Sequence, residues 1–160
     1  MSGIIFRTLI LTDHDLVLQK IIESWGSEIV VAHGQIFRPA QLPGFGAFVG
    51  QVITGLLTYH IGDNSCEVIT LNSWNEGMGI GTRLIEEAKQ IADIASCVRM
   101  WLITTNDNTP ALRFYQKCGF LISGIRINAM ESARRIKPQI PMTGVDGIPL
   151  RDEIELEMIL

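Results

Sequence analysis

Apolar positions along the chain switch between a period of two and a period near 3.6, with glycine and proline marking the changes. Phe6 to Leu11 reads as a first strand. Thr12 or Asp13 then caps a helix over Asp15 to Trp25, because Leu18, Ile21, Ile22 and Trp25 recur at helical spacing and Gly26 supplies the stop. Glu28 to Ala32 is a short β-branched strand, and Gln35 to Gly46, with two prolines and two glycines, reads as a loop. Ala47–Val49 and Val52–His60 form strands joined at Gly50-Gln51. A second turn at Gly62-Asp63-Asn64 leads into the strand Cys66–Leu71, completing a meander.

Thr82 to Ala95 carries Leu84, Ile85, Ala88, Ile91 and Ala92 on one face and charges on the other, the pattern of a surface helix. Val98–Thr104 is almost wholly apolar, as a buried central strand requires. Thr109–Cys118 is a helix with Pro110 in its first turn and Gly119 after its end, followed by the strand Phe120–Ile127. Residues 128–150 contain Arg134, Arg135, Lys137 and three prolines, and give no regular period. Glu153–Leu160 alternates glutamates with Ile154, Leu156, Met158 and Leu160, a half-buried strand. The order predicts a mixed α/β fold around one sheet, in one domain over residues 1–160.

Composition narrows the classes. Hydrophobic residues make up 47% of 160 and charged residues 19%, which fits a packed globular chain. A net charge of −4 without a basic run argues against sequence-independent nucleic-acid binding. No apolar stretch approaches the roughly 20 residues of a membrane helix. Met1-Ser2-Gly3-Ile4 lacks the regions of a signal peptide, so a cytoplasmic location is expected. Cys66, Cys97 and Cys118 contain no Cys-x-x-Cys pair and read as reduced thiols. His14, His33 and His60 match no ligand spacing, so no metal is expected.

The segment with the clearest chemistry is Glu76-Gly77-Met78-Gly79-Ile80-Gly81-Thr82, between a strand and a helix. Glycines let a ligand approach the backbone, and the helix start offers free N–H groups and the positive end of its dipole. Together they form an anion site suited to phosphate. No Gly-Lys pair is present, which excludes the P-loop of nucleotide hydrolases. The glycine spacing also departs from the dinucleotide fingerprint, and the next strand ends in Ile103-Thr104-Thr105 rather than an acid.

Strand, Gly-x-Gly turn, helix, strand, Asn-x-x-Ala and a tyrosine-bearing helix together resemble the GNAT superfamily of N-acetyltransferases. Glu76, Gly79 and Gly81 match its pyrophosphate motif, with Glu76 standing where the family has Gln or Arg. Asn108, Ala111, Phe114-Tyr115, Lys117 and Gly119-Phe120 match its second motif. The resemblance is close over residues 47–127 and looser over 1–46. In 128–160 it covers only the final strand. The link from Leu71 to Glu76 is shorter than the family pattern and lacks its proline. The resemblance implies a mixed, mostly antiparallel sheet flanked by helices, with acetyl-CoA or coenzyme A as cosubstrate. It also implies direct transfer of acetyl to a primary amine in a ternary complex.

By the same resemblance, the main chain of Gly77, Met78, Gly79, Ile80, Gly81 and Thr82 cradles the pyrophosphate. Leu71, Asn72 and Ser73 pair with the pantetheine arm, and Asn108 and Ala111 touch it. Tyr115 is the candidate acid for the leaving thiolate and Glu67 the candidate base, with His33 and His60 as alternatives. Cys66 and Cys118 have no nearby histidine in sequence, which argues against an acyl-enzyme. Arg38, Leu42-Pro43-Gly44-Phe45 and the stretch around Arg134 and Arg135 are candidate acceptor-site walls, and the C-terminal strands a candidate homodimer interface. Two rival readings keep the fold: a longer acyl-CoA as donor, or a non-catalytic acyl-CoA sensor.

Overall fold

The computed structural model describes residues 3–160. Met1 and Ser2, the first two positions of the segment read for a targeting signal, lie outside the described residues. One seven-stranded sheet organises the chain, in the order β1-β4-β5-β6-β7-β9-β8. Its strands are β1 (Ile4–Thr8), β4 (Gly44–Val49), β5 (Val52–Gly62), β6 (Ser65–Ser73), β7 (Arg99–Thr105), β8 (Leu121–Arg126) and β9 (Glu153–Ile159). Four helices flank it: α1 (His14–Trp25), α2 (Ile80–Ile94), α3 (Thr109–Lys117) and α4 (Ala129–Ile136). Only β6 and β7 run parallel; every other neighbouring pair is antiparallel. The parallel pair needs a crossover, and α2 supplies it.

The two sheet faces bury different helices. Leu84, Ile85 and Ala88 of α2 pack with Leu57, Cys66, Met100 and Leu102 in the larger core. Val17 and Ile21 of α1 pack on the opposite face with Phe48, Ile53 and Leu56. Ile53 and Leu56 share a face because Ala47 pairs with Gly55 while Phe48 pairs with Ile53, leaving Thr54 as an extra residue. Gly55 then lies under α2, where a Cβ would collide with Ile80.

Three readings of the sequence need correction. The segment Gln35–Gly46 is not all loop: β3 (Gln35–Phe37) pairs with β2 (Val30–Ala32) in a separate hairpin, and β4 begins at Gly44. The hairpin closes on His33-Gly34, both with positive φ (42° and 76°), as a two-residue turn of matching twist requires. Histidine in place of the usual Asn or Asp hid that turn. The first strand begins earlier and ends at Thr8, with a 3-10 turn over Leu11–Asp13. Within residues 128–150, α4 buries Met130 and Ala133, a stripe too short to register as a period.

Candidate functional site

The geometry of the site begins with a parting of strands. β6 and β7 pair from Ser65↔Arg99 to Val68↔Leu102 and then stop, although both strands continue. At the same point Thr58 pairs with Thr70 and Tyr59 with Val68, so Ile69 is an extra residue of β6. A bulge bends its strand and ends pairing, and here it turns β6 away from β7. The wedge holds a cavity of about 100 Å³ with Glu67, Ile69, Thr104, Thr105, Asn108 and Glu153 on its wall. Leu71, Asn72 and Ser73 form the half-buried end of β6 beyond the bulge. Asn72 Oδ1 is buried there without a hydrogen-bond partner.

The glycine turn follows β6 directly. Gly77 and Gly79 have φ of 78° and 71°, a conformation that side chains with a Cβ resist. Gly79 is the N-cap of α2 and makes no side-chain cap, so the first N–H groups of the helix stay available. Gly77, Met78, Gly79 and Thr82 are exposed. The shorter link from Leu71 is absorbed by extending β6 to Ser73, which leaves the turn intact. Glu76 is exposed beside it. Two members of the segment have packing roles. The Ile80 side chain is 1% exposed in the core, and a Cβ on Gly81 would lie 3.0 Å from the Phe114 ring. Gly81 is thus small because α2 packs closely on α3.

Asn108 caps α3: its Oδ1 accepts from the Ala111 N–H at 3.3 Å. Asn108 therefore lines the wedge from the start of α3. Tyr115 lies about two turns further, edge-on to Phe114 and Phe120 at 5.3 and 5.7 Å between centroids. Burial pushes its phenol well above the usual tyrosine range, which reinforces the protonated form an ordinary tyrosine already has at neutral pH.

Glu67 is the buried carboxylate at the apex of the wedge, 4% exposed. Register sets His60 beside it on β5 and Trp101 beside it on β7. His33 reaches over from the separate hairpin, and its Nε2 is 2.8 Å from Glu67 Oε2. Burial raises the Glu67 carboxyl above the ordinary carboxylate range, and His33 opposes that rise. The His33 main-chain N–H donates to both oxygens of Glu153, at 3.2 and 3.1 Å. Two buried carboxylates, 34 and 120 residues away, thus hold one histidine by its ring and its backbone. A left-handed non-glycine residue fixed at this point is the kind of backbone strain that clusters at functional sites. Trp101 Nε1 is buried close by without a partner.

Glu153 gave no warning in the sequence, where it read as one of three solvent-facing glutamates. Its neighbours Glu155 and Glu157 do pair with Arg99, whereas Glu153 is 2% exposed. The expected acceptor walls divide. Arg38 is an exposed partner of Glu28, Phe45 belongs to the core, and Leu42 and Pro43 line a different cavity with Leu9 and Val17. Arg134 bonds the carbonyls of Ile140, Pro141 and Leu150 and so ties the segment after α4 together, while Arg135 is exposed. Burial pushes the Cys66 thiol up to about 12 and raises Cys97 and Cys118, which disfavours the thiolate at each.

Residues 13–120 match the sequence model of the Acetyltransferase (GNAT) family. The chain belongs to the GNAT acetyltransferase family. It is 43% identical over 138 residues to the uncharacterized protein YdhI of Bacillus subtilis (strain 168), covering 85% of this chain and 86% of that one. It is 30% identical over 101 residues to a streptothricin acetyltransferase of Escherichia coli, covering 61% and 58%. A GNAT family acetyltransferase of Elizabethkingia anophelis with acetyl-CoA bound superposes with a TM-score of 0.69 at 20% identity, covering 100% of both chains. That likeness gives the mixed sheet with flanking helices. Among the described residues, no group of side chains suited to a metal ion occurs and no helix is long and apolar enough to cross a membrane.

Proposed function

We propose that this GNAT chain is an acetyl-CoA-dependent N-acetyltransferase whose acceptor is a primary amine, working as one domain over residues 1–160 in the cytoplasm. The observation that carries the reading is the wedge between β6 and β7, with the start of α3 lining it and buried Glu67 at its apex. The fit to a coenzyme A thioester rests on three features. The left-handed Gly77 and Gly79 leave main-chain donors open to a pyrophosphate. The end of β6 has no β7 partner and can take an added strand. Asn72 Oδ1 and Asn108 lie where an amide-bearing arm would run. Acetyl-CoA bound there supplies an acetyl group activated as a thioester.

The protein's own residues then manage protons. An alkylammonium must lose one before it attacks, and Glu67 Oε2, bonded to His33 Nε2, is the assigned acceptor. Its raised pKa brings a carboxylate closer to the working range of a base. Tyr115 Oη, protonated at neutral pH, is the assigned donor to the leaving thiolate. Main-chain N–H groups at Leu71 to Ser73 are assigned to polarise the carbonyl. The high thiol pKa of Cys66 supports direct attack over an acyl-enzyme. The streptothricin relative supports an amine as acceptor. A homodimer belongs to the same reading: β8 is the sheet edge and exposes Leu121 and Ile125, which a second copy would cover.

Coenzyme A release across a panel of amines tests the proposal. Turnover on at least one primary amine, lost in Gly79→Glu, is the expected outcome. Binding of acetyl-CoA with no turnover on any amine would make the chain a sensor and overturn the enzyme reading.

A further inference from the structure

On the α1 face of the sheet, the wedge cavity adjoins a larger one. The second cavity, about 540 Å³, shares Trp25, Val30, Val31 and Thr105 with the first. Its outer wall comes from α4 and the segment after it, including Met130, Ile140 and Leu150. The walls are mainly apolar, yet Lys137 sits among them with 6% exposure. Its ammonium donates to the Trp25 and Ile29 carbonyls at 2.8 and 3.1 Å. An ammonium has three donors, so one is left over. Among the described residues no carboxylate pairs with Lys137. Arg134, behind the same wall, also spends its guanidinium on carbonyls alone.

The charges are sorted across the two cavities. The small cavity carries Glu67 and Glu153, both buried and, among the described residues, neither paired with a lysine or arginine. The large cavity carries a buried cation without an anion. Buried charges are costly unless paired, so each end favours a ligand of the opposite sign. A ligand filling both must carry a positive group at one end, a negative group at the other, and an apolar body.

We propose that the acceptor is an ω-amino carboxylate, with its ammonium and its carboxylate at opposite ends of an apolar chain. Its carboxylate meets the Lys137 ammonium, and its ammonium points to Glu67 and Glu153 at the wedge. This rests on the acetyltransferase reading and extends it to the acceptor. It gives α4 and the following segment a role: they bring a cation to the acceptor side. The ammonium end is the end that faces the assigned base, so the amine is the group modified. A carboxylate also replaces the missing counter-ion of Lys137, whose pKa burial otherwise lowers.

The test compares 5-aminopentanoate, 6-aminohexanoate and 8-aminooctanoate with their decarboxylated amines, butylamine, pentylamine and heptylamine. Calorimetric binding and coenzyme A release are both read, in wild type, Lys137→Gln and Lys137→Arg. At least one ω-amino acid is expected to bind about tenfold or more tighter than its own decarboxylated amine, the scale of one charge-assisted contact. Lys137→Gln should erase that preference while the decarboxylated amine binds as before, and Lys137→Arg should keep it. Equal or tighter binding of every decarboxylated amine in wild type would overturn the proposal without any variant. So would a Lys137→Gln variant that weakens both members of a pair alike. The two readings fail differently. An ω-amino acid bound through Lys137 but never acetylated upholds the cavity and overturns the enzyme. Acetylation of a polyamine with no ω-amino acid bound does the reverse.

Discussion

The glycine turn and the Glu67 centre lie at the same wedge but are built in opposite ways. The turn is local: residues 76–82 are consecutive, and their work is done by main-chain N–H groups and left-handed glycines. The Glu67 centre gathers His33 from a separate hairpin, Glu153 from the last strand and Trp101 from β7, and works through side chains. A site made of backbone tolerates drift in side-chain identity, which is why Glu76 sits at its rim without disturbing the turn. A site made of remote side chains depends on every loop that delivers one.

That difference can be broken at its local end first. Glutamate at Gly79 imposes a Cβ at φ 71° and sets a carboxylate against the phosphate site. We expect acetyl-CoA binding to weaken by about a hundredfold or more by calorimetry, with helix content unchanged by circular dichroism. At the other end, Glu67→Gln keeps a hydrogen-bonding partner for His33 but removes the base. Its kcat should fall by about a hundredfold while acetyl-CoA affinity stays within about twofold. The pH profile sharpens this. A base acts deprotonated, so kcat/KM in wild type should rise with pH through a limb displaced above the ordinary carboxylate range. That limb should vanish in Glu67→Gln.

Smaller effects separate chemistry from structure. Tyr115→Phe removes a hydroxyl that makes no hydrogen bond among the described residues, and keeps the ring between Phe114 and Phe120. It should lower kcat by about tenfold and leave the melting temperature unchanged; a large loss of stability would make Tyr115 a packing residue. Asn108→Ala removes the cap of α3 and should cost about 0.5–2 kcal/mol in urea unfolding, with a modest rise in KM for acetyl-CoA.

The legibility of the sequence follows the same division. The order of strands and helices from Ala47 to Ile127 could be read because each element carries its own period and its own stop, as at Gly50-Gln51, Pro110 and Gly119. Gly79 and Asn108 could be placed for the same reason: their roles follow from their immediate neighbours. The hairpin over 30–37 was not legible, since its strands have three residues each and its turn uses histidine. Glu153 was misread because alternation states which face a residue takes, not what covers that face. Here β2, β3 and their turn cover it. Lys137 stands in a stretch without a period, and nothing nearby in sequence shows that α1 ends against it. Family resemblance points to Glu67 and Tyr115, with His33 and His60 as alternative bases; that His33 bonds Glu67 is visible only in the fold.

The central claim is that the glycine turn and the parted strands form a coenzyme A site. Calorimetric titration of the wild-type protein with acetyl-CoA, coenzyme A, ATP and NAD tests it most directly. Selective binding of acetyl-CoA and coenzyme A is the predicted result. A preference for ATP or NAD, or no binding of coenzyme A, would contradict the account and leave the wedge without its proposed occupant.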